Sequence, residues 1–197
     1  MQIRTRYRRC AAALAALAAM GSLAGCAPEP PAEPEQLTAS EAGGVYLDAV
    51  CPVNAAWDRV DLEVDRLRLA VGRGEGDTAA LADEFERLGA ASGKAAKELD
   101  PEANTWPKGA EAPVERVRKS LIADEKQTAK AAKLDAEDLV GYAWPGADEA
   151  AGAAAEARAA LGLPADAESA CAQWAEQQAK QQTEKKSGKS ESGSNGG

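Results

Sequence analysis

From Thr38 onward, apolar residues recur at alternating steps of three and four. Ala42, Tyr46, Ala49, Val53, Trp57, Val60, Val64, Leu67 and Val71 form one such stripe. That spacing places them on one face of an α-helix. Thr38 and Glu41, three residues apart, make a capping box at its start. Pro52 falls inside the stripe. It lacks the N–H that would bond the Asp48 carbonyl, and its ring crowds that carbonyl. The pattern fits one helix kinked at Pro52, or a helix over 39–50 followed by a second starting at Pro52. Gly72, Gly74 and Gly76 end the segment.

Similar stripes follow. Asp77 is placed to cap a second helix, whose buried face reads Leu81, Phe85, Leu88, Ser92, Ala95 and Leu99. Asp100-Pro101 stops it. Trp106-Pro107 opens an irregular entry to a third helix with the stripe Val114, Val117, Leu121, Thr128 and Ala132, fading toward Leu139. Trp144-Pro145 breaks that helix. Residues 148–161 predict an alanine-rich helix, stopped by Gly162 and Pro164. A final helix is expected from about Asp166 to Gln178, burying Ala167, Cys171 and Trp174 on one side. No stretch alternates apolar and polar residues as a half-buried strand would. The fold class is therefore all-α, a bundle of four to five helices over residues 37–180. The two Trp-Pro entries resemble each other, but an aromatic just outside a helix start is a common staple, and no repeat is built on them.

The two ends of the chain follow other patterns. Residues 27–36 are rich in proline and glutamate. Such a tether is extended and semi-rigid, and at ~3.1 Å per residue it would span roughly 30 Å. Residues 181–197 are Gln, Lys, Ser, Glu, Thr, Gly and Asn with no apolar face, the composition of a disordered polar tail. At the start, Arg4, Arg6, Arg8 and Arg9 precede an almost unbroken run of Ala, Leu and Met to Met20. The run suits a signal sequence and is short of the ~20 apolar residues that span a bilayer.

Leu23-Ala24-Gly25-Cys26 closes that segment and resembles the lipobox of bacterial lipoproteins. The resemblance implies a signal peptide at 1–25, removed before Cys26. It also implies that Cys26 is the lipid attachment site, carrying a diacylglycerol with palmitate-type acyl chains. The mature chain would then be anchored on the extracytoplasmic face of the cell membrane, with the tether spanning 26–36. Bilayer binding by acyl chains contributes ~0.8 kcal/mol per buried methylene, and two chains anchor where one does not.

Charge bears on partners. The whole chain carries a net charge of −9, with 23 basic and 32 acidic residues. Loss of residues 1–25 removes four arginines and no acid, which takes the net charge to −13. Such a surface repels nucleic acid and anionic headgroups alike. No nucleic-acid partner is expected, and attachment to the membrane falls to Cys26. Aromatic residues are 4% of the chain, so the core must be built from Ala, Val and Leu.

The four cysteines divide by position. Cys10 leaves with the signal, and Cys26 is acylated under the lipobox reading. Cys51 and Cys171 remain in an exported chain, where disulfides persist. A Cys51–Cys171 disulfide is the economical reading; two separate buried thiols are the alternative. Closing so long a loop stabilises by roughly 4–5 kcal/mol on the chain-entropy view.

Few motifs point to chemistry. Histidine is absent, and with it the most common metal ligand and proton shuttle. Asp58, Asp61 and Asp65 cluster along one helix, but Arg59, Arg66 and Arg68 interleave, the pattern of a solvated face. Ser187-Gly188-Lys189-Ser190 imitates the end of a phosphate-binding loop, but Thr183 stands where that loop needs glycine. The Gly72–Gly76 run has no strand before it, so it reads as a turn. Asn54 beside Trp57 could line a polar pocket; the plainer expectation is that Asn54 bonds the freed Asp48 carbonyl.

No catalytic residues, metal or cofactor are assigned, and the chain is not expected to be an enzyme. The tether, the Tyr46…Val50-Cys51-Pro52 segment, Trp106-Pro107 and Leu161-Gly162-Leu163-Pro164 together resemble small helical lipoproteins of actinobacteria with no assigned function. The functional expectation is an interaction or structural module of the cell envelope, with an envelope protein or wall component as partner. The alternative is a small-ligand-binding lipoprotein with its site between helices.

Overall fold

Burial of the apolar stripes builds a bundle of helices with no strand among the described residues. The structure is a computed structural model that describes the backbone of residues 36–191 and side chains to residue 185. Six helices occur there: α1 Ala39–Val71, α2 Ala79–Glu98, α3 Glu111–Ala131, α4 Ala136–Val140, α5 Ala147–Ala160 and α6 Ala167–Glu191. The signal segment, the lipobox with Cys26 and most of the tether lie outside the described residues.

α1 starts as its sequence requires. The Glu41 N–H donates to Thr38 Oγ1 at 3.2 Å, and the Thr38 N–H donates to Glu41 Oε2 at 2.9 Å. The Thr38 hydroxyl, donating to Glu41 Oε2 at 2.7 Å, and then the Thr38 N–H hold the Glu41 carboxyl below its usual pKa. α1 then runs unbroken through Pro52. The two-helix alternative is not realised, because Tyr46, Ala49, Val53 and Ala56 on both sides of Pro52 are buried in the same core. Asn54 does not serve the freed carbonyl either. Its Nδ2 lies 3.7 Å from Cys171 Sγ.

α2 buries the whole expected stripe from Leu81 to Leu99. At its entrance the Ala79 N–H donates to Asp77 Oδ1 at 3.0 Å. Gly89 and Gly93 let α2 approach α3 closely: a Cβ at Gly89 would sit 2.6 Å from Thr128 Oγ1, and one at Gly93 would sit 2.6 Å from Glu125 Oε1. The α2–α3 loop inserts Trp106, which is buried. The chain entering α1 is tied to that loop, with the Leu37 N–H donating to the Thr105 carbonyl at 2.9 Å.

Two boundaries differ from expectation. α3 does not fade toward Leu139; it ends at Ala131, and the short α4 begins anew after Asp135, whose Oδ1 accepts the Asp138 N–H at 3.0 Å. α6 does not end near Gln178 but continues as helix to Glu191. Gln, Lys and Glu are good helix formers, so the backbone stays helical there. Residues 181–185 are exposed, and 192–197 lie outside the described residues. α5 ends as read: Gly162 is left-handed at φ +67°, the Leu163 N–H donates to the Arg158 carbonyl, and the Gly162 N–H to the Ala159 carbonyl. This is a Schellman stop.

The packing order follows the chain in part. α1 packs on α2, α2 on α3, and α3 on α5, while α4 and α6 lean on α1. α1, α2, α3 and α5 thus form four sides of a bundle. The side between α1 and α5 is left open as a groove.

Candidate functional site

The groove holds a cavity of about 370 Å³, within the size range of small-molecule sites. Each wall comes from one helix. Tyr46, Val53, Asn54 and Trp57 line it from α1. Ser120, Leu121 and Asp124 line it from α3. The α5 wall is Ala147, Ala150, Ala151 and Ala154, ending in Arg158. Because that wall is alanine, α5 leaves space in front of α1 where longer side chains would close it. Trp144, from the loop before α5, completes the surface.

Aromatic packing fixes one end. Trp144 meets Trp57 edge to face with ring centroids 4.7 Å apart, and stacks on Phe85 at 6.0 Å. Such pairs contribute ~0.5–1.5 kcal/mol beyond burial. The Trp144 Nε1–H donates to Asp124 Oδ1 at 2.8 Å. Burial raises the Asp124 carboxyl above its usual pKa, and the indole bond offsets this in part.

The other end holds Tyr46 and Arg158. Burial pushes the Tyr46 hydroxyl up to about 12, against the pull of the neighbouring Arg158 guanidinium. Arg158 Nε donates to the Ala165 carbonyl at 2.9 Å, and its side chain lines the groove end beside Tyr46. Between the two ends, Ser120 Oγ donates to the Val117 carbonyl at 2.8 Å. The Ser120 oxygen and Asn54 Oδ1 both keep acceptor capacity.

The disulfide lies behind this groove. Cys51 and Cys171 are bonded, with Cα atoms 5.6 Å apart and a sequence separation of 120. The bridge fastens α6 to α1 one turn from Asn54. Trp174 reinforces the same contact, its Nε1–H donating to Asp48 Oδ1 at 2.8 Å.

Other residues singled out from the sequence are not brought into a site. Asp58, Asp61 and Asp65 stay on one helix surface. The Asp61 carboxyl is raised by burial first and then by its two acidic neighbours. Among the described residues no three metal-type ligands converge. Gly72–Gly76 forms the turn after α1, with Gly74 at φ +79°. The Ser187–Ser190 segment is part of α6.

Sequence reasoning passed over Asp124, Ser120, Trp144 and Arg158 as site residues. A signal was present. Val117, Leu121, Asp124 and Thr128 fall at steps of four, three and four, so Asp124 occupies a stripe position. Arg158 likewise follows Ala147, Ala150, Ala151 and Ala154 along one face of α5.

No protein-family model, no curated protein and no solved structure matches this chain. Among the described residues, no helix is long and apolar enough to cross a membrane.

Proposed function

We propose that this protein is a lipid-anchored, extracytoplasmic binding protein that holds a small amphipathic ligand in the α1–α3–α5 groove. The groove itself carries this reading: an apolar cavity with two aromatic walls and a few polar groups at fixed places. The anchor is Cys26, on the strength of the Leu23–Cys26 lipobox and the signal-like segment before it. The role is binding without catalysis. The Ser120 hydroxyl is committed to a backbone carbonyl, and the Asp124 carboxylate holds an indole, so neither is paired as nucleophile and base.

An interaction module acting through helix faces has less support. Leu62 (50% exposed) and Leu69 (67% exposed) are the exposed large hydrophobics among the described residues. They stand two turns of α1 apart, and the charged Asp65 and Arg66 lie between them. That is not a contiguous apolar patch.

The test follows both parts of the proposal. The full chain is expected in the membrane fraction, and its Cys26→Ser variant in the soluble fraction or medium. Native mass spectrometry of the membrane-extracted protein is expected to find a bound small molecule. Ala151→Trp, which fills the groove, is expected to lose it. A Cys26→Ser protein still held on membranes would remove the anchor, and a ligand-free parent protein would remove the binding role.

A further inference from the structure

Arg158 and Asp124 are the two charged side chains that line the groove, and they have opposite signs. Both are half-buried. Among the described residues neither has an ion-pair partner within 4.0 Å. Asp166 acts on Arg158 electrostatically from beyond that distance. The Trp144 indole and the Ala165 carbonyl return part of the desolvation cost of these two groups, but no opposite charge within ion-pair distance returns the rest. Two such charges of opposite sign, at opposite ends of one cavity, describe the molecule that would pair both.

The register of the helices gives the spacing. Tyr46 stands beside Arg158, and Trp57 packs on Trp144, whose indole reaches Asp124. From Tyr46 to Trp57 the helix rises ~16 Å. The two poles are thus on the order of 10–15 Å apart, once side chains lean inward. An extended peptide covers ~3.3–3.6 Å per residue, so three to four residues reach from one pole to the other. Between the poles, Asn54 Oδ1 and Ser120 Oγ can accept N–H bonds, and Trp57 and Trp144 offer apolar walls. A fatty acid would leave Asp124 unpaired, and an uncharged sugar would leave both poles unpaired.

Resting on the binding role proposed above, we infer that the groove takes an apolar peptide of three to four residues with free ends. Its C-terminal carboxylate pairs with Arg158 and its N-terminal ammonium with Asp124. Side chains such as Leu or Val lie against the two tryptophans and the alanine wall of α5.

Calorimetric titration of the full acylated chain in non-ionic detergent with Ala-Leu-Leu-Ala tests this. The free tetrapeptide is expected to bind at least tenfold more tightly than its N-acetylated form, and at least tenfold more tightly than its C-amidated form. Asp124→Asn should erase the effect of acetylation and keep that of amidation. Arg158→Gln should do the converse, while Arg158→Lys should restore the preference for a free carboxylate. Equal affinity for capped and free peptides, or cap effects unchanged in these variants, would overturn the assignment. Absence of peptide binding would also overturn it. In that case, an Ala151→Trp-sensitive small molecule in native mass spectra would leave the binding role standing. If neither is found, both readings fall.

Discussion

Asp124 shows how one side chain can serve the groove at the expense of the fold. Burial raises its pKa, so the charged form is disfavoured in the native protein. Above that raised pKa the carboxyl is ionised in both folded and unfolded chains, and only the folded state bears the desolvation. Below the ordinary carboxylate range of ~3.9 it is neutral in both, and the cost is gone. Its contribution to stability therefore improves as pH falls through the raised value. Asp124→Asn removes the charge and keeps an oxygen for the Trp144 indole. Its melting temperature is expected to exceed the parent's at pH 7, with the difference shrinking toward pH 4. Thermal melts of the two proteins across that range check the sign. A gap that widens in acid would show that the indole bond, not burial, governs this carboxyl. The same reasoning explains why the residue escaped notice in the sequence. An aspartate at a stripe position looks like a gap in the stripe until a facing helix and an indole are seen around it.

At the scale of elements, the long helices were legible and the short or polar ones were not. The Thr38–Glu41 box, the α2 stripe and the Gly162 stop are each local: the residues that make the bond or fill the core lie within a turn or two of one another. The α3–α4 break has no glycine or proline to mark it, only Asp135 accepting an N–H three residues on. The extent of α6 was hidden for a different reason. Its residues 181–185 are exposed, so no apolar periodicity records that part. The groove was illegible because its walls come from α1, α3 and α5, and nothing local in the sequence brings Tyr46, Asp124 and Arg158 together. Pro52 is the point where local chemistry and packing disagree most. It lies exposed inside a continuous helix whose core contacts span it. An interior proline costs a helix ~3 kcal/mol, partly returned by the stiffer unfolded chain. Pro52→Ala is expected to raise the unfolding free energy by about 1–3 kcal/mol, measured by urea titration at unchanged m-value. Destabilisation instead would mean that the Pro52 ring, next to Cys51, is needed to seat the disulfide.

At the scale of the whole molecule, a modest core is fastened by one covalent bond. Alanine and leucine supply most of the core positions, and among the described residues Phe85, Trp106 and Tyr46 are the large aromatic residues fully within it. Double replacement of Cys51 and Cys171 by alanine is expected to lower stability by ~2–5 kcal/mol. Far-UV circular dichroism at room temperature should still show a helical protein, because the stripes pack without the bridge. Loss of helix on reduction would mean that α6, which makes few other contacts with the bundle, is required for the rest to fold. Two alkylatable thiols in protein taken from its native cells would show that the bond does not form there.

The same bridge changes what a cut in the chain means. Cys51 lies in the first helix and Cys171 in the last, so every connecting loop of the bundle falls between them. A protease that nicks the turn at 72–78, the loop at 99–110 or the segment at 141–146 therefore releases no fragment. Both pieces stay joined through sulfur. The groove walls on α1, α3 and α5 would remain neighbours after a single scission. The bond acts as a clasp on a necklace, holding the pieces together after the string is cut.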